Sequence, residues 1–154
     1  MEPIYVTVAG KKKLEDRLNF LISRRAGITE QIRIAREYGD LRENAEYAAA
    51  REDQNNLESE IEEIKANLAN LKVFSYAKAP TDKVGIGSKV TVEVNKRVVS
   101  FVITGTIESD LDTGYLSYLS PIGRALMDAK VGSVVTAVVP AGKINYTIKD
   151  ISRV

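Results

Sequence analysis

The sequence predicts an α+β protein: an N-terminal antiparallel two-helix coiled-coil hairpin, then a small antiparallel sheet carrying one short helix. Three observations predict it. Apolar and heptad positions Leu14, Leu18, Leu21, Arg25, Ile28, Ile32 and Ala35 step by four and three, and so do Tyr47, Ala50, Gln54, Leu57, Ile61, Ile64 and Leu68. The two series mirror each other, because the residue numbers of each facing pair, from Leu14 with Leu68 to Ala35 with Tyr47, add to 82. Beyond residue 87 the period changes from helical to two, as in Val90, Val92 and Val94.

Taken in order, the opening MEPIYVTV is acidic at its second residue, unlike the basic-then-apolar plan of a signal peptide. No apolar run approaches membrane-spanning length, so a cytoplasmic protein without a membrane partner is expected. Thr7 is placed to cap the first helix and Gly39 to end it in the left-handed region. Gly27 weakens this arm, and Arg25, on the seam opposite Leu57, must send its guanidinium outward to water. Reflection at Leu41 makes GDLRENAEY the tip, at the end of an arm about 40 Å long from Gly10 to Tyr38 at ~1.5 Å per residue. The returning helix fades after Leu71, and Pro80, Gly85 and Gly87 mark a linker. The expected domains are therefore 1–75 for the hairpin, 76–87 for the linker and 88–154 for the sheet domain. There, NKR turns Val90–Val94 into the strand VVSFVITG, Ser120 and Pro121 start the short helix IGRALMDA, and SVVTAVVP and INYTIKDI are strands joined by PAGK.

Composition narrows the chemistry. The chain has no cysteine and no histidine, which excludes disulfides, thiolate nucleophiles, Cys-based zinc sites and every Ser-His or Cys-His arrangement. Any chemistry runs through carboxylates, amines or hydroxyls, which argues against a standalone enzyme. The formal charge of +1 gives no bulk attraction for nucleic acid, so local charge matters more. The rising arm is rich in Lys and Arg and the returning arm in Glu, and cross-arm ion pairs are expected to absorb most of both.

The tip carries Asp40 and, three residues on, Glu43. That spacing fits a helix start, with the aspartate as N-cap and the glutamate reaching back to its amide. It equally puts two hard oxygen donors within one turn, where they could share a divalent cation whose other ligands come from a partner. Both readings stay open on spacing alone.

The run GDLRENAEYAAAREDQ, residues 39–54, resembles the tip signature of the bacterial Gre family of transcript-cleavage factors, GreA type. TVAGKKKLEDRL resembles the family's opening helix, VGIGSKVTV its entry strand and SPIGRALMDAKVGS its C-terminal helix and turn, so the likeness spans the whole chain. Membership implies an FKBP-like C-terminal domain that docks at the mouth of the RNA polymerase secondary channel, with Ser120 and Pro121 on the docking helix. It implies a coiled coil that reaches the active centre, where Asp40 and Glu43 would be the catalytic and metal-holding acids, sharing Mg2+ with the polymerase to cut backtracked RNA. Arg36 and Arg51 resemble the positions the family uses near the RNA 3′ end, against the alternative of ion pairs with Glu37, Glu46 or Glu52. Arg42 is assigned to surface solvation, Tyr38 and Tyr47 to stiffening the turn, and Asn44 and Glu46 to buttressing the loop. Two departures are visible: Ala48 where many members have histidine, and Asp128-Ala129 for a common Gly-Lys, which adds negative charge near the docking surface. The chain is expected to be a monomer whose partners are RNA polymerase and the backtracked RNA 3′ end. It is expected to activate the polymerase's own cleavage and not to be an enzyme itself.

Rival readings are a Gre-like inhibitor of the same channel, an FKBP-like isomerase or chaperone using Phe101, Tyr115, Tyr118 and Tyr146, and a plain coiled-coil adaptor. Retention of both tip acids favours cleavage over inhibition.

Overall fold

The Thr7 hydroxyl accepts from the Gly10 amide at 3.1 Å, and the first helix starts behind it as predicted. The structure is a computed structural model and describes residues 2–39 and 44–154. The chain divides into two compact units, Lys11–Asn70 and Met1–Gly10 together with Leu71–Val154. No helix among the described residues is long and apolar enough to cross a membrane.

In the helical unit, α1 (Val8–Ser23) and α2 (Arg25–Arg36) form the rising arm and α3 (Ala45–Ala69) the returning one. Leu21, Ile28, Ile32, Ala50, Leu57, Ile61 and Ile64 are buried together, with Leu14, Leu18, Tyr47 and Leu68 packed against them. These are the mirrored positions. The irregularity falls at Arg24, one residue before the seam arginine, and not at Gly27. The Ser23 hydroxyl donates to the Phe20 carbonyl, and the Arg24 amide bonds three residues back to Leu21, which tightens the turn. Arg25 does point outward, as a two-pronged pair with Glu58 across the arms, both bonds 2.8 Å. Cross-arm pairing is less general than expected. Arg17–Glu60 and Arg25–Glu58 cross, whereas Lys11–Glu15, Lys12–Asp16, Arg33 with Glu30 and Glu37, and Lys65–Glu62 run along one helix. Side chains three or four residues apart meet without any tertiary requirement.

The second unit centres on a five-stranded sheet in the order β5-β4-β3-β7-β6, where β3 is Ser88–Val94, β4 Arg97–Thr104, β5 Tyr115–Ser117, β6 Val134–Val139 and β7 Gly142–Arg153. Every pairing is antiparallel except β4 with β5, so the sheet is mostly and not wholly antiparallel. Asn95 and Lys96 join β3 to β4 with φ of 51° and 65°, the paired left-handed geometry a tight hairpin needs. A register shift opposite Thr91 and Val92 lets both Ile148 and Ile151 face the core. That core gathers Val84, Val90, Val92, Ile103, Leu116, Leu126, Ala137, Tyr146, Ile148 and Ile151.

Besides the short strand β5, three further features were not read from the sequence. Residues Ile4–Val6 form β1, which pairs in parallel with β2 (Leu71–Val73). Two 3-10 turns, Tyr76–Lys78 and Leu111–Thr113, also appear. Segment 76–87, marked as a linker by its breakers, is packed: Val84 is fully buried, the Gly87 amide donates to the Ile103 carbonyl at 2.6 Å, and the Arg153 guanidinium donates to the Ala79 carbonyl at 2.9 Å. The breakers there bend the chain over the core instead of freeing it.

Candidate functional site

The returning helix begins at Asn44, whose extended backbone (φ −84°, ψ 97°) suits an N-cap and whose Oδ1 accepts from the Tyr47 amide at 3.0 Å. Its NH2 group donates to the Ala35 carbonyl on the rising arm at 2.6 Å. One amide thus starts α3 and ties the two arms together, the buttressing expected of it. The cap of α3 is Asn44, and the helix-start reading of Asp40 and Glu43 falls on residues that are not described. Asp40, Leu41, Arg42 and Glu43 themselves lie outside the described residues. Gly39, just before them, has φ of 112°, as predicted for a left-handed terminator.

Arg36 and Arg51 are both exposed. The Arg36 guanidinium lies 5.8 Å from the centroid of the Tyr47 ring, and Arg51 donates to the Gln54 side-chain oxygen at 3.0 Å. Neither takes the carboxylate partner offered as its alternative: Glu37 pairs with Arg33 at 2.6 Å, and no pair of either arginine with Glu46 or Glu52 is present among the described residues. Tyr47 packs against the seam, but Tyr38 is 71% exposed, so the stiffening role holds for the first and fails for the second. Position 38 falls outside the mirrored series, and that phase could have shown its exposure.

Ser120 is occupied at the start of α4 (Pro121–Leu126): its hydroxyl accepts from the Gly123 amide at 3.0 Å and donates to the Ser117 carbonyl at 2.7 Å. Pro121 instead lines an open groove with Leu119, Arg124, Ala125, Thr136 and Val138. The β6 residues were missed, although alternation in SVVTAVVP sends Val134, Thr136 and Val138 to one face, and Val134 and Val138 are 63% and 66% exposed. Asp128 adopts φ of 64° and its charge meets Lys83 at 3.5 Å, so the extra negative charge is partly balanced. A position requiring positive φ explains why glycine would suit it.

The aromatic residues of the isomerase reading are distributed among internal pairs. Phe101 meets Tyr146 edge-on in the core at 6.3 Å, Tyr115 meets Tyr76 at 5.9 Å and Tyr118 meets Tyr5 at 5.4 Å.

Comparison with known proteins places both halves of the chain. Residues 4–73 match the family model "Transcription elongation factor, N-terminal", and residues 79–153 match "Transcription elongation factor, GreA/GreB, C-term". The chain belongs to the GreA/GreB family of transcription elongation factors. Similar curated relatives include the transcription elongation factor GreA of Thermoanaerobacter pseudethanolicus, 40% identical over 99% of each chain. That of Thermodesulfovibrio yellowstonii is 41% identical over 97% of this chain and 96% of that one. Among solved structures, GreA factor homolog 1 of Thermus thermophilus aligns over 97% of this chain and 99% of its own, at 24% identity and a TM-score of 0.46. Neither an isomerase nor a bare coiled-coil adaptor accounts for a Gre-family match in both halves.

Proposed function

We propose that this Gre-family chain enters the secondary channel of bacterial RNA polymerase, hairpin tip first, and stimulates the polymerase's own cleavage of backtracked RNA. The observation that carries the reading is the match of both halves of the chain to the GreA/GreB family, together with the Asp40 and Glu43 carboxylates that its tip sequence holds. Two carboxylates suit Mg2+, a hard ion that takes oxygen ligands, but fall short of its six positions. When bound, the ion supplies charge neutralisation and an activated water for phosphodiester hydrolysis. Asp40 and Glu43 would hold it, Arg36 and Arg51 would grip phosphates of the RNA 3′ end, and the Pro121 groove, aligned by Ser120, would seat the sheet domain on the polymerase. The chain acts here as an activator, and alone it should leave free RNA intact in Mg2+.

Asp40→Asn and Glu43→Gln test this on a stalled, backtracked elongation complex. Each variant should compete for polymerase as well as the parent does while cleavage falls about 100-fold or more, the upper end of what losing even a supporting group of a metal site costs. Unchanged cleavage in both overturns the assignment.

A further inference from the structure

The two tight turns of the sheet, Asn95–Lys96 between β3 and β4 and Pro140–Ala141 between β6 and β7, lie at the same end, because β3 and β7 run antiparallel with Glu93 opposite Thr147. An open concavity of about 500 Å3 lies there, with Glu93, Lys96, Lys143, Asn145 and Thr147 in its wall. Its carboxylate is already neutralised, since Glu93 pairs with Lys149 at 3.0 Å. Asn145 accepts through Oδ1 from the Thr136 hydroxyl at 2.7 Å, which leaves its NH2 group to donate. Neither Lys96 nor Lys143 has a carboxylate partner among the described residues. The positive φ at Asn95 and Lys96 fixes how the turn presents that lysine. What remains is a donor set: two ammonium groups, an amide and a hydroxyl, on a wall with no free negative charge.

Lys beside neutral Asn and Thr donors is a set that proteins use on nucleic-acid phosphates, where point-charge and neutral hydrogen bonds position the backbone without reading bases. An open concavity also suits a chain passing across it better than a small molecule enclosed within it. We propose that this end of the sheet binds the phosphate backbone of a nucleic acid without regard to sequence. The proposal does not depend on the tip reading and concerns a separate group of residues.

The test is anisotropy of a labelled short single-stranded RNA, and of duplex DNA, with the full chain across a salt series. Lys96→Glu with Lys143→Glu should weaken binding about tenfold or more and make the log–log salt slope for RNA shallower by about 1.4, two phosphate contacts at ~0.7 each. Asn145→Asp keeps an oxygen for Thr136 but replaces the donor with a negative charge, so a loss of about threefold or more is expected. Lys78→Glu with Lys130→Glu, an equal charge change outside the concavity, should cost less than about twofold. Arg36→Ala with Arg51→Ala, run in parallel, separates binding through the tip from binding through the sheet. An equal loss in the Lys78/Lys130 control, or no loss in the Lys96/Lys143 variant, overturns the proposal. Displacement of RNA by micromolar pyrophosphate would make this a small-anion site, and equal affinity for polyglutamate would make the partner an acidic protein; either result also overturns it.

Discussion

Asn44 shows how one side chain can define the end of a hairpin: its oxygen caps α3 while its nitrogen reaches Ala35 across the turn. Asn44→Ala should lower stability by about 1–2 kcal/mol in thermal or denaturant unfolding, and Asn44→Asp, which keeps the cap but cannot donate to Ala35, should fall between. Gly123 illustrates a different constraint. A Cβ there would sit 2.1 Å from the Ser117 carbonyl oxygen, a backbone atom, so Gly123→Ala must push α4 off β5 and should cost about 1–3 kcal/mol. At this scale the candidate site was legible in part. The residue types and the exposure of Arg36 and Arg51 follow from helical phase, but the placing of one over Tyr47 and the other beside Gln54 depends on rotamers no sequence pattern specifies.

At the scale of elements, the coiled coil was the most legible part, because a seam that must leave water forces apolar residues into a fixed phase on each arm. The mirror names the pairs that pack, Leu21 with Ile61 and Ile32 with Ala50 among them. Gly27 sits in α2 with nothing within 4 Å of where a Cβ would stand, so Gly27→Ala should gain about 1 kcal/mol in unfolding free energy. The hairpin's ion pairs make its stability depend on pH. Hydrogen bonds from Arg25 and Arg33 hold the carboxyls of Glu58 and Glu30 below the ordinary value of 4.5. Because the unfolded chain takes up these protons first, their contribution is complete above pH 4.5 and is lost as pH falls through the lowered folded values. Acidification from about pH 7 to about pH 3 should therefore lower the parent's melting temperature more than that of Glu58→Gln, by a small margin fitting for surface pairs.

For the chain as a whole, its first residues belong with its second half, Leu71–Val154. Val6 is fully buried, Tyr5 meets Tyr118 edge-on, and Glu108 accepts from both the amide and the hydroxyl of Thr7 while the Tyr76 hydroxyl donates to its other oxygen at 3.3 Å. Deleting residues 2–6 should abolish amide protection at Leu71–Val73 by hydrogen exchange and leave protection of Leu57–Ile64 in α3 unchanged.

The sequence by itself determined the two arms and their facing pairs, the Asn95–Lys96 hairpin, the capped helix behind Ser120 and the family to which these motifs belong. Each is written locally, in a repeat of apolar positions or in a turn residue with its own backbone preference. Tertiary structure alone decided the parallel pairing of Ile4–Val6 with Leu71–Val73, the addition of Tyr115–Ser117 to the sheet edge and the packing of segment 76–87. Three-residue strands are too short to show a period. Their stability comes from partners distant in sequence, which become neighbours only once the core around Ile103 and Ile148 has formed.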